Sequence, residues 1–321
     1  WAERHDKYDI ASNYVAIYNL VDKWIKSYPN IVFERKLFID VSERKNIDKY
    51  PIEYRKFIHN GHNSVFYFII ENEETKKYFL ISYWDCINSV DLEYKYNHYD
   101  IENMVELFSA QGGQKPHSVD YLSFEETEIK YTPINKVVWL VETELEIQNI
   151  MSLESNYKQR ILPDKLFFRV GDPYGFRTAL IKDPRFNSKY GARVSEREHV
   201  QELNKYSINM DVYSVSGVNM RLIEGMGLGT AVLSPNFPQK HHSHIIPDYH
   251  YVKVEFDESY LNLSNYLKLA DSYIETFEAL KKDPDKIVFI SNNAREYYLK
   301  NCTIEKHVDL LYDLLDLNKL N

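Results

Sequence analysis

Cysteine is scarce in this chain of 321 residues: only Cys86 and Cys302 occur, far apart in sequence. At most one disulfide is possible, and two buried thiols in a reducing compartment are the expected state. No run of about 18 apolar residues occurs, so no membrane-spanning helix is expected. No signal peptide is visible and a cytoplasmic location is expected, although the first residue is Trp1 rather than Met, which leaves open a leader or anchor already removed. There is no long basic block, and the formal net charge is −9. Broad nucleic-acid binding needs a positive stripe and is not expected, which leaves room for a local positive pocket. Internal repeats and low-complexity tracts are absent. The dinucleotide fingerprint is missing too: Gly225, Gly227 and Gly229 do not match G-x-G-x-x-G, and they follow a helix instead of opening one.

What remains is a soluble-type composition, 44% hydrophobic and 27% charged, in a chain long enough for two domains. The 27 tyrosines, with many Asn, Lys and Ile, read in part as the codon bias of an AT-rich genome. In the first half, helical spacing covers Ala11 to Lys26, a strand follows over Ile31 to Asp40, and a short helix over Lys49 to His59. Ser64 to Glu71 and Lys77 to Tyr83 are strong strands about a polar turn. A helix is expected over Ile101 to Ser109, a loop over Gln111 to Pro116, a strand over Lys136 to Val141 and a helix over Glu142 to Arg160. Near Arg160 to Asp164 the pattern changes, so the chain divides into residues 1–160 and 161–321. From Lys165 strands and helices alternate: strand Lys165 to Arg169, helix Phe176 to Lys182, strand Ile208 to Val215, helix Asn219 to Met226, strand Thr230 to Leu233, strand Tyr251 to Phe256. Helices over Leu261 to Lys281, Asp283 to Lys300 and Ile304 to Leu317 end the chain. This alternation implies an α/β fold, a parallel sheet covered by helices that binds ligands beyond the carboxyl ends of its strands.

The chain is organised around YSINMDVYSVSGVNMRLIEGMGLGTAVLSP, Tyr206 to Pro235. A strand, a glycine turn at Gly217 and a helix start make a ready anion site, because helix N-terminal N–H groups and the dipole both favour negative charge. Arg221 can supply a bidentate fork to phosphate oxygens. Glu224 shares its face three residues on, which is equally the spacing of a surface ion pair. The glycines around Met226 to Gly229 suit close backbone approach, to a neighbouring strand or to a ligand.

RLIEGMGLGTAVLSP resembles the donor-binding helix and strand of the C-terminal domain of GT-B glycosyltransferases. From about Lys165 onward, LFFRVGDPYGFR and VSGVNMRLIEGMGLGTAVL resemble glycosyltransferase family 90, the capsule-associated-protein and protein O-glucosyltransferase type. The resemblance covers roughly half of the chain. It implies two Rossmann-like domains facing a cleft, with C-terminal helices packing back. It further implies an inverting transfer of glucose or xylose from a nucleoside diphosphate sugar, UDP favoured, to a glycan or protein hydroxyl, with no metal. Retaining enzymes of this fold carry Glu-x7-Glu; Glu224 matches the second Glu, but Ser216 stands at the first.

On this reading Arg169, Arg177 and Arg221 hold the diphosphate, Ser216 and Gly217 line it, and Glu224 holds ribose. Asp85, Asp40 and Asp172 are the candidates for the base that takes the acceptor proton; each is equally a capping or turn carboxylate. Ser195, Arg197 and His199 lie in a charged stretch, either a solvated helix or a loop that meets base or ribose. His241, His242 and His244 read as a loop near the sugar before they read as metal ligands. Asp283-Pro284 is ordinary helix-start chemistry. The rival readings are a non-catalytic GT-B-like module for a glycan or nucleotide, and an epimerase or phosphorylase that shares the donor site.

Overall fold

The aromatic and β-branched runs of the first half form strands. A computed structural model describes residues 12–28, 32–37, 65–71, 76–82, 104–109, 130–135, 137–138, 141–153, 160–170, 176–190, 194–212, 218–235, 241–257, 260 and 265–314. Helix α1 (Ser12–Ser27) comes first. Strands β1 (Val32–Leu37), β2 (Val65–Glu71), β3 (Lys76–Ser82), β4 (Met104–Ser109) and β5 (Lys130–Pro133) then make one sheet in sequence order. The first three are antiparallel neighbours, with Val32 opposite Glu71 and Val65 opposite Ser82. β4 and β5 continue the sheet in parallel.

Two expectations fail here. Within the helix expected over Ile101 to Ser109, residues 104–109 are strand β4: β3 and β5 lie on either side of it, and sheet pairing overrides weak local preference. The described residues of the strand expected over Lys136 to Val141 are not extended in a sheet. Val137 and Val138 lie in irregular chain, and Val141 already begins helix α2 (Val141–Leu153); of the helix expected over Glu142 to Arg160, residues 154–159 lie outside the described residues and Arg160 is not helical. The expected helix over Lys49 to His59 and the loop over Gln111 to Pro116 lie outside the described residues.

In the second half, β6 (Phe167–Val170), α3 (Phe176–Lys182) and β7 (Asn187–Tyr190) form a parallel β-α-β unit. After α4 (Glu196–Asn204), strand β8 (Ile208–Met210) leads through α5 (Met220–Leu228) to β9 (Ala231–Pro235), and later to β10 (Val252–Val254). These strands pair in parallel in the order β10-β9-β8. Helices α6 (Tyr266–Leu280), α7 (Pro284–Asn301) and α8 (Ile304–Leu314) follow. The architecture is thus mixed α/β with small parallel sheets.

Alternation along the strands divides the core in two. Leu166, Phe168, Ala231, Leu233 and Val252 face one cluster, with Leu180 of α3 and Leu269, Tyr273 and Phe277 of α6. Phe167, Val232 and Tyr251 face the other, with Ile147 of α2, Val200 of α4 and Leu222, Ile223 and Met226 of α5. Helix α7 serves both, through Ile290 and Ala294. Helix α1 buries Ala16, Leu20 and Trp24, and Lys23 reaches Asp309 of α8 at 3.0 Å. Among the described residues, no helix is long and apolar enough to cross a membrane. Cys302 is a buried free thiol, pushed above its ordinary range by burial and then by Glu144; Cys86 lies outside the described residues.

Candidate functional site

Strand β8 is shorter than its apolar run suggests: it stops at Met210, and Asp211 follows directly. Every polar group of Asp211 is engaged. Its N–H donates to the Leu233 carbonyl at 2.8 Å, and its own carbonyl accepts the Tyr273 hydroxyl at 2.7 Å. Its Oδ2 accepts from Ser234 Oγ at 2.8 Å, and its Oδ1 from Asn219 Nδ2 at 2.8 Å. Asn219 is the N-cap residue of α5, yet its side chain makes no cap bond. It turns back to Asp211 and to the Val212 carbonyl instead. One buried carboxylate therefore joins the end of β8, the end of β9 and the start of α5. Burial lifts it to about 6, against the Ser234 and Asn219 hydrogen bonds and the charges of Arg221 and Arg177.

Those charges belong to a cluster. Arg169 lies in β6, Arg177 in the first turn of α3, which follows β6, and Arg221 in the first turn of α5, which follows β8. Burial lowers the Arg221 guanidinium from its ordinary range; Asp211 and Glu224 pull it back up, and Arg177 and Arg169 push it further down. Arg169 and Arg177 therefore both lie within the field of Arg221. The Nε atoms of Arg169 and Arg221 are buried and make no hydrogen bond among the described residues. Concentrated positive charge in a low-dielectric setting, with covered donors, is what an incoming anion satisfies.

Glu224 is 5% exposed. Its close partner is His199, whose Nε2 lies 3.1 Å from Glu224 Oε2; Arg221 acts on it as a neighbouring charge. Burial drives the Glu224 carboxyl up, and His199 and Arg221 together bring it below its usual value. The stretch around His199 is a helix, α4, opened by a capping box: Glu198 N–H donates to Ser195 Oγ at 3.2 Å, and Ser195 N–H to Glu198 Oε2 at 2.9 Å. Arg197 is an exposed member of it, 3.3 Å from Glu146.

Between approach to a strand and approach to a ligand, Gly225 is settled in favour of the strand. A Cβ there would stand 2.3 Å from Val232 Cγ2. Gly227 fits against Ile147 and Tyr298, and Gly229, at φ 64°, is the left-handed C-cap. The helix thus runs through Gly227 to Leu228, beyond its expected end at Met226, because packing outweighs propensity. Arg160 closes it, forking onto the carbonyls of Leu228 and Gly229, the latter at 2.7 Å.

Of the sequence candidates, Arg169, Arg177, Arg221 and Glu224 come together. Ser216, Gly217, Asp172, Asp85 and Asp40 lie outside the described residues. His241 is buried, while His242 and His244 are exposed. Among the described residues no three His, Cys, Asp or Glu groups converge as metal ligands. Sequence reasoning missed Asp211, which lies inside the strand expected over Ile208 to Val215 and carries no local mark of its role. A cavity of about 630 Å³ lies elsewhere, between α3 and α6. Its arginine, Arg185, is held by Asp183 at 2.7 Å and by Asp271, so it offers an anion little that is free.

No known family model matches this chain, and no curated protein matches it in sequence.

Proposed function

We propose that this chain is an inverting GT-B glycosyltransferase, moving glucose or xylose from a nucleoside diphosphate donor, UDP favoured, to a hydroxyl of a glycan or protein. The observation that carries the reading is that Arg177 and Arg169 both act as like charges on the buried Arg221, while the Nε donors of Arg169 and Arg221 are buried and make no hydrogen bond among the described residues. A pyrophosphate leaving group gains negative charge as its bond to the sugar breaks, and preorganised guanidinium groups stabilise that charge without a metal. Glu224, held by His199, is assigned to the ribose hydroxyls. Gly217 and Ser216 are assigned to the phosphate turn, and Asp85, ahead of Asp40 and Asp172, to the proton acceptor. Residues 1–160 would supply the acceptor side and 161–321 the donor side, with α1 and α2 packed onto the latter.

The test is thermal shift with UDP, GDP and their sugars, followed by a donor-hydrolysis screen. Stabilisation by one nucleotide and release of its sugar are expected. Stabilisation without sugar release would replace the enzyme with a nucleotide-binding module; no stabilisation by any nucleotide would remove both readings. Isomerisation of the donor, or phosphate dependence without an acceptor, would point to an epimerase or phosphorylase.

A further inference from the structure

The inference concerns Asp211 and rests on the reading of the arginine cluster as an anion site. We infer that Asp211 is a positioning residue with two separable jobs: its hydrogen bonds fix the strand ends to the start of α5, and its charge stands in for the ligand's until the ligand arrives. The first job follows from geometry. Ser234 on β9 and Asn219 at the start of α5 each donate to one carboxylate oxygen at 2.8 Å. Arg221 lies two residues beyond Asn219, so whatever fixes Asn219 fixes the first turn that carries Arg221. The second job follows from charge. Asp211 is the fully buried anion among the described groups that attracts both Arg221 and Arg177. Like charges at close range repel, and a carboxylate among them offsets that repulsion.

An arriving anion must share the arginines with Asp211, and it disfavours the ionised carboxylate. Binding therefore takes up a proton at Asp211, and by linkage the anion binds more weakly as pH rises. The groups that face this region are Arg221 and Glu224 on α5, Arg177 on α3, Arg169 on β6, His199 on α4, Tyr273 on α6 and Ser234 on β9. Of these, His199 meets the region through Glu224, at 3.1 Å from its Oε2.

The probe is sulfate, which does not change charge between pH 5 and 8, titrated at constant ionic strength with chloride and followed by thermal shift. Wild-type affinity is expected to fall about three- to tenfold from pH 5 to pH 8, on the scale of a shift of up to one pKa unit. Asp211→Asn keeps an oxygen for Asn219 and a group for Ser234 but loses the charge. It should bind sulfate at least as tightly as wild type and with a flatter pH dependence, and His199→Gln should retain most of the slope. Asp211→Ala loses both anchors and should bind about tenfold more weakly while staying folded by circular dichroism; if it does not fold, Asp211→Asn decides alone. The wild-type slope persisting in Asp211→Asn, or unchanged affinity in a folded Asp211→Ala, overturns the inference and leaves the anion site standing. Failure of wild type to bind sulfate at all, with Arg221→Ala indistinguishable from it, overturns the anion site and this inference with it.

Discussion

Glu144 and Ile304 stand 160 positions apart and meet at a helix start: the carboxylate of Glu144 on α2 accepts the Ile304 N–H at 3.1 Å as α8 begins. An anion at a helix N-terminus is ordinarily favourable. Here burial lifts the carboxyl from 4.5 to about 7, against the Ile304 hydrogen bond and with added repulsion from Glu305. The folded chain thus holds this proton more tightly than the unfolded one. Stability from this group is full below about 4.5 and declines as pH rises through about 7. Glu144→Gln retains an acceptor for Ile304 and has no charge to lose. Urea unfolding at pH 5 and pH 8 should show wild type losing more than the variant, by about 1–3 kcal/mol. Equal losses would mean that Glu144 is neutralised some other way.

Arg221→Ala should abolish more than nine-tenths of nucleotide affinity and cut sugar transfer by about 10²- to 10³-fold, the usual scale for removing a donor aimed at developing charge. Its folding stability should change little, because the burial penalty and the repulsion from Arg177 and Arg169 leave with it. Arg221→Lys keeps the charge and loses the fork, so intermediate affinity is expected. Isothermal titration with UDP, beside a thermal melt, separates the two effects. Wild-type affinity in Arg221→Ala would remove the central assignment.

Arg160 is a structural arginine, in contrast to the three in the cluster. Its fork closes the carboxyl end of α5 on the carbonyls of Leu228 and Gly229. Arg160→Met keeps the apolar stem and leaves those acceptors without it. A loss of about 1–3 kcal/mol in chemical unfolding is expected, with sulfate affinity near wild type because the opposite end of the helix carries Arg221. A large loss of affinity with unchanged stability would place Arg160 in the anion site instead.

Legibility in the sequence followed the range of the interaction. β2 and β3 were readable from VFYFIIE and KKYFLIS because aromatic and β-branched runs carry their own preference. The start of α7 was readable from Asp283-Pro284, and the Asp283 side chain does accept the Lys286 N–H, at 2.9 Å. β4 was misread as a helix because only its neighbours β3 and β5 make it a strand. Arg169, Arg177 and Arg221 could each be placed at the end of a strand or the start of a helix. Asp211 could not be recognised, because its meaning comes from Ser234, 23 positions on, and from Asn219, 8 positions on. The Glu224–His199 contact spans 25 positions and was equally hidden.

Gly225 offers a test of how far packing holds the site together. In an ordinary exposed helix, Gly→Ala stabilises by about 1 kcal/mol. Here the added methyl would stand 2.3 Å from Val232 Cγ2 on β9, so α5 must move off the strand. Gly225→Ala should therefore destabilise by about 1–3 kcal/mol, the reverse of the propensity effect. Because the first turn of α5 carries Arg221, sulfate affinity should fall with it. Val232→Ala removes the methyl groups that the new Cβ would strike, so the double variant should lose less than the sum of the two single losses, in stability and in affinity alike. Additive stability losses would show that the close contact is not the cause. Restored stability without restored affinity would show that the placement of Arg221 depends on the Asp211–Asn219 anchor more than on the seat of the helix against β9.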